Sequence, residues 1–139
     1  MMDSWSRFRA LDVDRRRLVF EAAVLVGIVC VGLRTMPLGR LRRLLERCER
    51  RRPARASASP GAIAWAVQAA ARRFAGARTC LVEALAAEAM LRRRAYPSEL
   101  RLGVRRGCDR SRLDGHAWVE CNGVVVVGAI EDLESYAPD

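Results

Sequence analysis

Gly115-His116-Ala117-Trp118-Val119-Glu120-Cys121-Asn122-Gly123-Val124-Val125-Val126-Val127-Gly128 is the stretch on which the fold turns. Asn-Gly between two runs of β-formers predicts a hairpin, because a type I′ turn needs positive φ at both central residues. A two-residue loop pairs Cys121 with Val124, Glu120 with Val125, Trp118 with Val127 and His116 with Ala129. His116, Trp118 and Glu120 then share a face with Val125, Val127 and Ala129. Glu120 stands two residues from His116, roughly 7 Å along the strand, and is better suited to pair with an arginine than to serve the imidazole.

Just upstream, Leu100, Leu102 and Val104 alternate with Glu99, Arg101, Gly103 and Arg105, the pattern of a half-buried strand. Residues 107–114 form a polar loop between the two. Before the strands the period is helical. Residues 78–91, Arg-Thr-Cys-Leu-Val-Glu-Ala-Leu-Ala-Ala-Glu-Ala-Met-Leu, are strong helix formers, and Thr79 is placed to cap them. A helix followed by antiparallel strands predicts an α+β fold, with that helix packed on a small sheet.

Cys80 is then the first helical residue, where unpaired backbone N–H groups and the positive end of the helix dipole favour a thiolate. His116 is the only histidine of the chain, so any Cys/His pair must use it. A lone cysteine in an apolar helix also serves as a small buried hydrophobe, and a lone histidine beside a strand is often structural.

Working outward, residues 18–33 are almost continuously apolar and interrupted by Glu21. This stretch lacks a small-residue cleavage pattern and is short for a membrane span, so it is expected to be a helix buried on more than one side. Pro37 separates it from an amphipathic helix over 38–50, with Leu38, Leu41, Leu44 and Leu45 on one face. A further helix is expected over 62–74, with Trp65 in the core. Its Gln68 is a candidate oxyanion donor or, more simply, a solvent-facing polar residue. The domain organisation expected is an N-terminal helical region over 1–52, a Pro/Ser-containing linker over 53–61 and a core over 62–139.

With 139 residues, 51% of them hydrophobic, the chain supports one main core. Five cysteines at irregular spacings form no C-x-x-C pair and no disulfide framework, which implies a reducing cytoplasm and leaves no paired spacing for zinc. The net charge of +9 comes from 25 basic residues that are all arginine. Absence of lysine beside abundant alanine matches the codon bias of a high-GC genome, and no aromatic residues are interleaved with the densest basic run, 40–55, to stack bases. A nucleic-acid partner is therefore not expected.

Thr79-Cys80-Leu81-Val82-Glu83-Ala84-Leu85, the strand Leu100-Arg101-Leu102-Gly103-Val104, and Gly115-His116-Ala117-Trp118-Val119-Glu120 followed by Asn122-Gly123 form an ordered series. It resembles the transglutaminase-like leader peptidases of lasso-peptide biosynthesis, in particular those carrying the peptidase half of a split maturation protease. The resemblance implies a papain-like core with a Cys-His-Asp site: Cys80 as nucleophile, His116 as base, and Asp132 as the orienting carboxylate, with Glu131 the second choice. It implies no cofactor and no metal. The substrate would be a ribosomally made precursor peptide recruited by a separate leader-binding protein, with the lasso cyclase a further partner. Two other classes stay open: an acyl- or amide-transferring enzyme on the same scaffold, and a non-enzymatic Arg-rich binding protein.

Overall fold

A helical layer comes first in the chain and the sheet last, as the change of sequence period requires. The computed structural model describes residues 13–51, 58–73, 80–106, 113–128 and 137–138. Its helices are α1 (Val13–Thr35), α2 (Leu38–Arg51), α3 (Pro60–Ala71) and α4 (Cys80–Arg93). They are followed by β1 (Ser98–Arg106), β2 (Leu113–Cys121), β3 (Val124–Val127) and the short β4 (Ala137–Pro138). The strands form one antiparallel sheet of order β3-β2-β1-β4. The fold is α+β.

α4 is the central helix: it packs against α1, α2 and α3 on its flanks and against β1 and β2 of the sheet. Its sequence permits this. Ala84, Ala86, Ala87 and Ala89 are buried on several sides together with Val82, Leu85, Met90 and Leu91, and methyl side chains let several neighbours approach one helix axis. Just beyond Arg93 the helix is closed by Ala95, whose φ of 60° lets the Tyr96 N–H reach the Leu91 carbonyl at 3.0 Å, a Schellman-type closure.

α1 departs from the expected burial on more than one side. Leu18, Val19, Ala22, Leu25, Val26 and Val29 pack inward, whereas Phe20 is 67% and Val31 63% exposed. A sequence apolar all round does not say which side the partners occupy; here α3 and α4 cover one side only. The helix is also longer than the 16-residue apolar run, at 23 residues, and is long and apolar enough to cross a membrane.

Pro37 does separate α1 from α2, and its carbonyl accepts the Arg40 and Leu41 N–H groups at 3.1 Å. On α2, Leu41 and Leu45 are buried while Leu44 is exposed, so the inward face is narrower than four leucines. α3 starts two residues before the expected position: Ser59 is its N-cap, accepting the Ala62 N–H at 3.1 Å, and Pro60 fills the first turn. Trp65 is not core. It is 36% exposed, and the Arg15 guanidinium lies 5.6 Å from its ring centroid, a cation–π contact between α1 and α3.

In the sheet, Leu100 pairs with Val119 and Leu102 with Ala117, and these side chains join the hydrophobic core beneath the helices. The Asn122-Gly123 turn has φ values of 53° and 79°, both positive as a type I′ turn requires. Cys121 pairs with Val124 and Glu120 with Val125, as the two-residue loop dictates, but the next pair is Val119 with Val127. Val126 is the extra residue of a β-bulge. The expected pairing of Trp118 with Val127 is thus displaced by one position. Val127 faces the core with Val119, at 1% exposure.

Candidate active site

Cys80 is the first described residue of α4. Its side chain is partly buried and packs against the edge of the hydrophobic core. The expected cap, Thr79, lies outside the described residues. Gln68 is exposed on α3, in keeping with the simpler of its two readings.

His116 is carried by β2, the strand against which α4 packs. α4 packs on the face of β2 that carries Ala117 and Val119, so the cysteine's helix and the histidine's strand are neighbours, while the imidazole leaves the strand on its other face. Along β2, Ala117 and Val119 enter the core, and alternation sends His116, Trp118 and Glu120 to the other face. The imidazole is partly buried and stacks on the Trp118 ring, with centroids 6.0 Å apart and planes 19° from parallel, within the range of favourable offset stacking.

Trp118 is itself held. Its indole N–H donates to Glu120 Oε1 at 3.1 Å, and Arg101 Nε on β1 donates to Glu120 Oε2 at 3.2 Å. Arg101 also reaches Glu99 Oε2 at 3.1 Å. Glu120 is therefore an arginine partner, as its distance from His116 along the strand suggests, and it orients the ring on which the imidazole rests.

His116 Nε2 lies 2.6 Å from the Gly128 carbonyl oxygen. A carbonyl can only accept, so Nε2 carries the proton in this contact. Sequence reasoning did not single out Gly128 for this site. The available signal was a lone glycine after four valines, a pattern that marks a bulge or a close backbone approach. Asp132 and Glu131, the carboxylates expected to orient the histidine, lie outside the described residues. Among the described residues, no group of three His, Cys, Asp or Glu side chains could hold a metal ion.

A central helix packed on a small antiparallel sheet is consistent with the core of a papain-like or transglutaminase-like domain. Residues 22–138 match the family described as the Transglutaminase-like superfamily. The chain belongs to that family, which contains cysteine peptidases and transferases and whose fold is typically that of an enzyme. No curated protein and no solved structure matches it.

Proposed function

We propose that this protein is a cysteine peptidase that removes the leader from a ribosomally synthesised lasso-peptide precursor. The reading is supported by one observation: the helix that carries Cys80 packs on β2, and β2 bears the chain's only imidazole; the approach of the Cys80 thiol to His116 is part of the proposal. Membership of a superfamily that includes cysteine peptidases supports it. The ordered Cys-Leu and His-Ala-Trp-Val-Glu elements narrow the substrate to a leader peptide by resemblance.

In this reading His116 Nδ1 takes the Cys80 thiol proton as Sγ attacks the scissile carbonyl carbon. The Cys80 backbone N–H donates to the developing oxyanion. Collapse of the tetrahedral species breaks the C–N bond, and the proton on Nδ1 passes to the leaving amine. Water then attacks the thioester, giving a proton to Nδ1, and release of the carboxylate product returns the thiol. Asp132 is the carboxylate proposed to stabilise the imidazolium. A separate leader-binding protein would deliver the precursor and the lasso cyclase would take the product, all in a reducing cytoplasm.

The test is incubation with the precursor and the leader-binding protein, read by mass spectrometry. Free leader should appear with the native protein and be absent with Cys80→Ala or His116→Ala of unchanged circular dichroism. Retained cleavage by Cys80→Ala would end the peptidase reading, and a new covalent amide in place of free leader would establish a transferase instead.

A further inference from the structure

We propose that the main-chain carbonyl of Gly128 is the positioning group that fixes the tautomer of His116, a task usually sought among carboxylate side chains. The inference deepens the peptidase reading and rests on it for the role of His116 as base. Three independent features of the backbone converge on the contact. The Nε2 to oxygen separation is 2.6 Å, a short hydrogen bond. The bulge at Val126 advances β3 by one residue against β2, so the chain beyond Val127 meets β2 in a register that a regular hairpin would not produce. Finally, Gly128 has φ +90°, and a Cβ there would stand 2.7 Å from the Ala117 carbonyl oxygen, 2.9 Å from Trp118 Cβ and 3.0 Å from Trp118 Cα.

Only glycine meets both demands of that position. The backbone conformation disfavours any L side chain, and the atoms a methyl would strike belong to the backbone and Cβ of β2, which cannot swing aside. The close approach is also what brings the carbonyl to the imidazole. Gly128 and His116 are thus coupled through Ala117 and Trp118, the residues that follow the histidine, while the Trp118 ring supports the imidazole face.

The chemical consequence follows from donor and acceptor roles. A carbonyl oxygen cannot take up the Nε2 proton under catalytic conditions, so it holds that proton in place through the whole cycle. All proton traffic passes through Nδ1.

Because His116 is the only histidine, ¹⁵N labelling of histidine in a protein purified without a histidine tag reports one pair of ring nitrogens. The neutral imidazole of the native protein should be protonated at Nε2, and should remain so in the Asp132→Asn/Glu131→Gln double variant. Gly128→Ala should give a mixture of tautomers and lower kcat on the order of 100-fold, with KM changed much less. Neutral His116 protonated at Nδ1 in the native protein would overturn the proposal. So would a folded Gly128→Ala protein with native tautomer and kcat, or a double variant that alone scrambles the tautomer. If Gly128→Ala does not fold, the native and double-variant spectra decide. Loss of the peptidase reading would appear separately, as cleavage that persists in Cys80→Ala, and leaves the tautomer measurement standing.

Discussion

Glu21 of α1 receives the guanidinium of Arg94 in two parallel hydrogen bonds, Arg94 Nη1 to Oε1 at 3.0 Å and Arg94 Nη2 to Oε2 at 2.7 Å. Arg93 binds the same carboxylate at Oε1, so the acid that interrupts the apolar stretch of α1 joins that helix to the C-terminal end of α4. The Arg94 side chain is 5% exposed. Removing the acid alone strands a buried cation, so Glu21→Ala should cost about 3–5 kcal/mol in urea unfolding. Replacing both partners, Glu21→Leu with Arg94→Met, should recover most of that loss. A Glu21→Ala protein within 1 kcal/mol of native, on the order of a surface pair, would mean that the bidentate contact contributes no more than an exposed one.

The approach of α1 to α2 depends on Gly32. A Cβ there would lie 2.5 Å from Leu41 Cδ1 and 3.1 Å from Cδ2, and Leu41 is 2% exposed with little room to turn. Gly32→Ala should therefore destabilise by about 1–3 kcal/mol through overpacking. Gly27 sits on the same helix with nothing within 4 Å of its added Cβ. There the same substitution should stabilise by about 0.5–1 kcal/mol, because alanine loses less backbone entropy in a helix. Chemical denaturation of the two variants side by side checks the contrast of sign.

Much of this architecture was legible because its signals are local. The alanine-rich run from Cys80, the alternating leucines of β1 and the Asn122-Gly123 turn each declare their geometry within a few residues. The misreadings are all questions of partners. α1 is apolar on every side, and nothing in its own sequence says that Phe20 and Val31 stay exposed. Trp65 is large and aromatic, yet Arg15 caps it at the surface. The bulge in β3 is hidden because four consecutive valines carry no parity, so a one-residue slip changes no pattern. At the candidate site the cysteine and histidine could be read from their elements, whereas the partner of His116 Nε2 is a main-chain carbonyl, and no inventory of side chains contains one.

Glu49 makes the α2 to α4 contact sensitive to pH. Burial pushes its carboxyl up to about 7 against the lowering effect of Arg92, with Glu88 and Glu46 adding to the rise. Glu88, 5% exposed, is raised for the same first reason, although Arg92 Nη2 reaches its Oε1 at 2.9 Å. A carboxyl whose folded pKa lies above its unfolded value, about 4.3, holds its proton more tightly when folded. Its contribution to stability is complete below pH 4.3 and is lost as the pH rises towards 7. Glu49→Gln cannot ionise, so its melting temperature should fall less between pH 5 and pH 8 than that of the native protein. Parallel pH profiles of the two proteins would refute the assignment.

Trp118 is supported at its indole N–H by Glu120 Oε1, and Glu120 by Arg101. Trp118→Phe keeps an aromatic face for His116 but leaves one oxygen of a half-buried carboxylate without its donor, which should cost about 1–3 kcal/mol. Glu120→Gln keeps an acceptor for the indole and weakens only the arginine pair, which on a partly exposed strand is worth about 0–1 kcal/mol. Thermal unfolding should therefore rank native, Glu120→Gln and Trp118→Phe in falling order. In the leader-cleavage assay the same order is expected for kcat, because each step loosens the ring against which the imidazole stacks. A Glu120→Gln protein less stable than Trp118→Phe would place the main contribution in the Arg101 pair and remove the indole from its supporting role.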